Sequence, residues 1–543
     1  MASVTGGFND PSGGDRSGGD RAGNGPAGGR RAAARRRQAR RRRIFAFGAA
    51  TLLVIVAVGA GAYALTRSDG GRSTDVASAG STTSTAPATT TTTKPPYTGW
   101  VDPASAFQPF PKAKVEGLLT FRGNPTRNYY GQGPMPAAPH VVWKYPGEGQ
   151  MCRLSEDKGE TTRWCGNGWT GQPAVFERDG RTWVVFGAYD GAVHFVDAAT
   201  GQDILPPFQT DDIIKGSVSV DPEGLPLIYI GSRDNYFRIL AIDRPQATEL
   251  WKLSADAVSP VKWNNDWDGS GLVLGDYLFE GGENSQIHIV KLNRGTGPDG
   301  LVTIAPELVW HAPGWDDELI GAVGSEVSIE NSVAVSGNTL YFGNSGGLIQ
   351  GWDIGPILAG TGEPTRIFRF WTGDDSDASV VVDEAGQLYG GSEWERHNAR
   401  SGEVGQMWKL DPAQPFNPLV WSQHDQGAEK AGVWGTPGIY QDLVIYTTYT
   451  GRAVGVDRTT GAIRWEKKLT APLMGSPVIV DGVWLQGDCD GVLHAYDVKN
   501  TAIDPPELWQ VPLGQCIEAT PAVWKGRIYV GTRGGFAFAI GDA

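Results

Sequence analysis

Methionine and histidine are scarce in this chain, at 5 and 7 of 543 residues, and no long amphipathic helical stretch occurs. That argues against a helical bundle. Cysteine is limited to Cys152, Cys165, Cys489 and Cys516, and their spacings match no zinc-ligand pattern. No glycine-rich phosphate loop stands out, and the scattered Ser-Gly pairs lack the strand–turn–helix setting of a nucleophile elbow. Basic charge is also scarce beyond residue 72, where 34 basic residues face 56 acidic ones for a net of −22. Phosphate backbones need a positive surface, so nucleic acid is excluded as the partner of the main domain.

What the chain does hold is glycine (76) and tryptophan (20), the mixture of a turn-rich all-β repeat protein. The first 72 residues carry 13 Arg against 4 Asp, a net of +9. Within them, residues 1–43 are Gly, Ser, Arg and Ala with almost nothing apolar, and read as a disordered basic cytoplasmic tail. Residues 44–65 carry no charge, and at about 1.5 Å per residue they are long enough to cross a bilayer. The preceding arginines predict a signal anchor with its N-terminus in the cytoplasm. A cleaved signal peptide is the alternative, since Ala62-Tyr63-Ala64 resembles a cleavage site. Residues 66–98 form a Thr/Ser/Pro-rich linker and 99–139 a lead-in segment.

From 140 to 543 one motif recurs: an Asp closing a strand, then a Trp. DAATGQDIL begins at Asp197, DRPQATELW runs from Asp243 to Trp251, and DRTTGAIRW from Asp457 to Trp465; looser copies pair Asp353 with Trp371, Asp411 with Trp421 and Asp497 with Trp509. Each unit contains an apolar strand, a strand ending in Gly (Gly231, Gly343, Gly487, Gly531), an alternating strand and the Trp strand. Four short strands per 40–60 residues predict propeller blades. The last repeat stops after its third strand, and the missing fourth exists upstream as HVVWKYPG around Trp143. Closing the ring with that strand removes both sheet edges and predicts eight blades; seven is the alternative.

The Asp…Thr-Gly…Trp motif, best seen in DAATG at 197–201 and DRTTGAIRW at 457–465, resembles the repeat of the pyrroloquinoline-quinone (PQQ) enzyme-like propellers. GLLTFRGNPTRNYYGQGPMP at 117–136 resembles the lead-in found before such propellers. The resemblance implies an eight-bladed all-β propeller, closest in kind to the non-catalytic outer-membrane-assembly (BamB-like) proteins. Quinoprotein dehydrogenases of this superfamily have adjacent cysteines beneath the cofactor; no two cysteines are adjacent here, and no c-type haem motif is present. No cofactor is therefore expected, PQQ and calcium entering only under the dehydrogenase alternative.

All four cysteines follow the apolar segment, which predicts two disulfides outside the cytoplasm. Cys489, between second and third strands, and Cys516, in the connection to the next blade, fall on one face at neighbouring blades, and Cys152–Cys165 would close a short loop before blade one. That face collects tryptophans (Trp164, Trp169, Trp263, Trp267, Trp315, Trp394, Trp434) and acids (Asp266, Asp268, Asp316, Asp317, Asp375, Asp377, Glu393, Glu395, Glu518) in its loops. Such a rim suits sugar rings or a basic or aromatic peptide. Gln172, Ser217, Ser270, Asn331, Ala378, Thr436, Ser476 and Thr520 are expected to line a wet channel, with Lys215, Asp268 and Glu518 the channel residues able to hold a ligand. The sequence reads as a membrane-anchored extracytoplasmic module that binds or scaffolds an envelope protein or glycan. A PQQ-dependent dehydrogenase and a glycan-binding or glycan-cleaving propeller are the alternatives, and no catalytic constellation is recognised.

Overall fold

The computed structural model describes residues 97–543 except 158 and 169–170. The expected tail (1–43), anchor (44–65) and nearly all of the linker (66–98) lie outside the described residues. Among the described residues no helix is long and apolar enough to cross a membrane.

Among the described residues eight blade sheets follow one another along the chain, antiparallel except for one parallel pair in the last, each running from the channel to the perimeter. In blade two these are Ser219–Val220, Leu227–Gly231, Tyr236–Ala241 and Thr248–Ser254. The second strand, LIYIG, is buried throughout because neighbouring blades cover both of its faces, whereas the fourth is half-exposed. Blade eight closes as expected. His140–Tyr145 pairs antiparallel with Phe536–Gly541, setting Trp143 opposite Ala539.

The recurring motif has a packing cause. In the sixth blade the Asp457 carboxylate accepts the Thr459 and Thr460 N–H groups (3.0 and 2.8 Å) and the Thr460 hydroxyl (3.0 Å), fixing the turn. Gly461 follows at φ +73°, and a Cβ there would meet the Trp421 ring of blade five at 2.7 Å. Trp421 thus lies on the next blade's turn, its indole N–H donating to Arg458 O at 3.1 Å, and Trp143 lies likewise on Gly201 of blade one, whereas Trp371 donates to Gly346 O of its own blade.

The channel departs from expectation: at the level of the polar ring it is filled by protein. The lead-in enters the axis, where Gly117–Leu118 adds an innermost strand to blade one and Gly131–Gln132 another to blade eight. Between them Arg122 and Arg127 are both wholly buried. Arg122 donates to Thr436 O (3.1 Å), Pro437 O (2.8 Å), Pro477 O (3.1 Å) and Arg127 O (2.9 Å), and lies over the Tyr130 ring. Arg127 donates to Val333 O (2.7 Å), Phe121 O (2.9 Å) and Ser270 O (3.1 Å). Innermost strands expose main-chain carbonyls that no further strand can satisfy, and the guanidinium groups supply the missing donors.

The polar ring around this plug is a chain of blade-to-blade bonds. Main-chain N–H groups of Gln172, Ser270, Ser332, Ser379 and Thr436 donate to the hydroxyls of Ser217, Ser332, Ser379, Thr436 and Ser476, at 2.9–3.0 Å. Blades four and five contribute Ser332 and Ser379, one residue beyond the expected Asn331 and Ala378.

Candidate functional site

The residues two places before each ring member are Thr170, Lys215, Asp268, Glu330, Asp377, Trp434, Met474 and Glu518. Thr170 lies outside the described residues; the other seven come from consecutive blade connections and surround the mouth of the plugged channel. Four are acids. Glu330 belongs to this level through the shift to Ser332, and its negative charge acts on Asp268 and Glu283 on one side and on Asp375 and Asp377 on the other.

Two clusters flank Glu330. In the first, Lys215 reaches Asp266 (3.3 Å), Asp268 (2.5 Å) and Glu283 (3.0 Å), and Arg233 holds Asp266 at 2.6 Å. The three carboxylates have metal-ligand spacing, within 4.8 Å of one another. The Lys215 ammonium takes the place that a cation would occupy, so an ion would have to displace it. Burial raises Asp268 to about 6 against the opposing pull of Lys215. In the second cluster the carboxyls of Asp375, Asp377 and Glu393 crowd together, and Asp375 Oδ1 and Asp377 Oδ1 are buried without a hydrogen-bond partner among the described residues. Burial, then repulsion from neighbouring carboxylates that include Glu330 and Glu395, holds all three well above the usual carboxylate range. Glu518 stands apart from Lys215 and Asp268, paired with Arg533 at 3.2 Å, and burial raises it.

The tryptophans divide. Trp263, Trp315 and Trp394 are half-buried at the face. Trp267, Trp434 and Trp164 are only 0, 2 and 3% exposed and belong to packing, a correction to the expected rim. Trp267 sits three residues before Ser270, the place that Ile214, Ile329 and Ile517 take before Ser217, Ser332 and Thr520. A Cβ on Gly231, at the end of the second strand of blade two, would meet the Trp267 Cβ at 2.3 Å, so that strand's terminal Gly exists to admit it. Trp267→Ala is expected to cost ~3–5 kcal/mol of unfolding free energy in urea titration, as for a large core truncation. Trp169 lies outside the described residues.

Among the acids, Asp316 caps the helix Asp317–Val323 through Leu319 N–H and pairs with Arg369 at 2.8 Å, which holds it down to about 2. Both expected disulfides are present, Cys152–Cys165 and Cys489–Cys516. The first staples the hairpin Cys152–Asp157/Glu160–Cys165. Its Trp164 lies between Arg233 and Arg533, with guanidinium carbons 5.6 and 4.9 Å from the ring, and against Tyr189. Positive charge therefore gathers beneath the hairpin, at blades eight, one and two, and negative charge at blades three to five.

The family profile described as outer membrane protein assembly factor BamB matches residues 396–540. A curated quinoprotein alcohol dehydrogenase of Pseudomonas putida is 30% identical over 99 residues, 18% of this chain; the match spans 15% of that relative's length. Among solved structures, the quinohemoprotein alcohol dehydrogenase of Comamonas testosteroni superposes with a TM-score of 0.52 at 14% identity, over 79% of this chain and 81% of its own. The corresponding enzyme of Pseudomonas putida HK5 gives 0.53 at 14%, over 78 and 80%. Likeness at 14% identity carries the fold and nothing of the chemistry. With eight closed blades, the Asp-Thr-Gly turn seated under the preceding blade's Trp and these matches, the chain is similar in fold to the PQQ-like β-propellers, the family profile covering residues 396–540.

Proposed function

We propose that this propeller is a binding or scaffolding module of the cell envelope, and that it grips a basic segment of a protein partner in the acidic half of the channel mouth. The observation that carries this reading is the Glu330-centred set of carboxyls, Asp375, Asp377 and Glu393, held close together at the cost of raised pKa values. Carboxyls crowded in one buried place are unfavourable in the isolated protein, and an incoming Lys or Arg offsets that cost. Half-buried Trp394 and Trp315 add ring faces for the aliphatic or guanidinium parts of such a segment.

The mouth suits PQQ poorly. PQQ is a tricarboxylate, and the cations here are matched to acids already: Lys215 and Arg233 to Asp266, Arg533 to Glu518, and Arg396 to Glu326 at 3.2 Å. Calcium would have to displace Lys215 from its three carboxylates. The quinoprotein likeness keeps the dehydrogenase alternative as an outcome of the test.

The test is crosslinking and recovery from envelopes of the source organism, comparing the wild type with Glu330→Gln/Asp377→Asn/Glu393→Gln. A distinct protein that is captured by the wild type, lost at high salt and absent with the variant is the expected result. Identical recovery by both forms would sink the reading. So would a stoichiometric quinone chromophore, with dye reduction by an alcohol, on adding PQQ and calcium.

A further inference from the structure

Away from the channel mouth, a cleft of about 670 Å³ opens where blades five and six meet. His424, Gln426 and Lys430, from the connection between the blades, line one side; Tyr449, Arg452 and Lys468 of blade six line the other. Its volume is that of a small-molecule site.

The charge a ligand meets there is opposite to that of the acidic half of the channel mouth. Three lining side chains are cationic and one, Asp425, is acidic. Asp425 is 4% exposed, and its oxygens are taken up by Gly432 N–H (3.0 Å), the Thr450 hydroxyl (3.0 Å) and Arg452 (2.8 Å). Glu466 grips Arg452 with both oxygens (2.7 and 3.0 Å) and Glu395 stands 3.6 Å from Lys430, but neither lines the cleft. Lys468 is exposed and donates to Thr450 O, which leaves N–H groups toward the opening.

The remaining lining is that of a sugar site. Tyr449 is half-exposed and backed by Trp434, with ring centroids 4.8 Å apart. Such a braced ring stacks on the C–H face of a pyranose, and the Gln426 amide and His424 imidazole supply hydrogen bonds for hydroxyls. Lys430 lies 5.0 Å from the Trp434 ring and 5.6 Å from that of Tyr449, which puts a cation beside the stacking face. Burial holds Lys430 down to about 8, a cost that an anion brought alongside would offset. Arg452 is already forked onto Glu466, so recognition falls to lysines, point charges that suit a single carboxylate.

We infer that this cleft binds an anionic saccharide, a pyranose bearing a carboxylate, with Tyr449 under the ring and Lys430 and Lys468 toward the acid group. The inference does not rest on the channel mouth holding a basic segment, because it concerns different residues and the opposite charge.

Calorimetric titration of the full chain with tri-galacturonate, maltotriose and inorganic phosphate tests it. Tri-galacturonate is expected to bind, at least tenfold more tightly than maltotriose or phosphate. Lys468→Gln and Tyr449→Ala should each weaken it at least fivefold, while Lys499→Gln, in a turn of the opposite face, changes nothing; thermal melts check that every variant is folded. No binding of tri-galacturonate overturns the inference. Equal binding of maltotriose shows that charge is not read, equal binding of phosphate that the ring is not read, and wild-type affinity in folded Lys468→Gln that the ligand sits elsewhere; each of these overturns it too.

Discussion

Arg122→Met is expected to lower the free energy of unfolding by ~3–5 kcal/mol, the range found when one partner of a buried charged network is removed. The guanidinium is wholly buried and has no carboxylate partner among the described residues; its compensation is four main-chain carbonyls, those of Thr436, Pro437, Pro477 and Arg127. Burial lowers its pKa, so the charge is costly and those bonds have to offset it. Methionine relieves that desolvation but leaves four buried acceptors without a donor, each worth ~1–3 kcal/mol. Two of them belong to blade six and one to blade seven, so the loss falls on the contact between blades. Lysine should rescue little, because a point ammonium cannot span carbonyls on two blades at once. Urea titration followed by tryptophan fluorescence reads the effect, and an unchanged midpoint for Arg122→Met would show that the plug fills the axis without holding it.

That plug was the least legible part of the sequence. The segment 117–136 could be likened to a lead-in, but its arginines bind carbonyl oxygens, which every residue has and no side-chain pattern reveals. The blades were legible for the opposite reason. Their Asp, Gly and Trp positions each answer a local requirement, a turn acceptor, a positive φ or a ring-sized gap, that few other residues meet. Blade number and closure followed from counting them, and the cysteine pairing from placing loops on one face. Errors arose where the count was carried into the connections. Adjacent polar residues such as Asn331 and Ser332 are equivalent by composition, and taking the first hid Glu330, which comes two before the second. Trp267 looked like a rim residue because tryptophan in a loop suggests binding; aligned three before Ser270, beside Ile214 and Ile329, it reads as core.

The acids of the mouth carry the second large effect. Burial raises Asp268, Glu280, Glu283, Asp375, Asp377 and Glu393 in the folded protein, against unfolded values near 4. A carboxyl raised in this way binds more protons folded than unfolded. The stability it contributes is therefore complete below the unfolded pKa and is lost as pH rises through the folded one. Acids with lowered values act in the opposite sense: Asp316 and Asp457, both held down to about 2, contribute stability that is present above pH 4 and lost in stronger acid. Together they place the stability maximum on the acid side of neutrality, near pH ~5, with a decline toward pH ~8. Asp377→Asn with Glu393→Gln removes two of the raised groups while keeping hydrogen-bonding side chains in place. It should raise stability at pH 8 by ~1–3 kcal/mol, on the scale of ~1.4 kcal/mol per pKa unit, and flatten the decline. Unfolding free energies in urea from pH 4 to 8 measure both quantities. A variant less stable than the wild type at pH 8 would mean that the trio is stabilising as it stands, and the argument that its crowded charge awaits a cationic partner would fall with it.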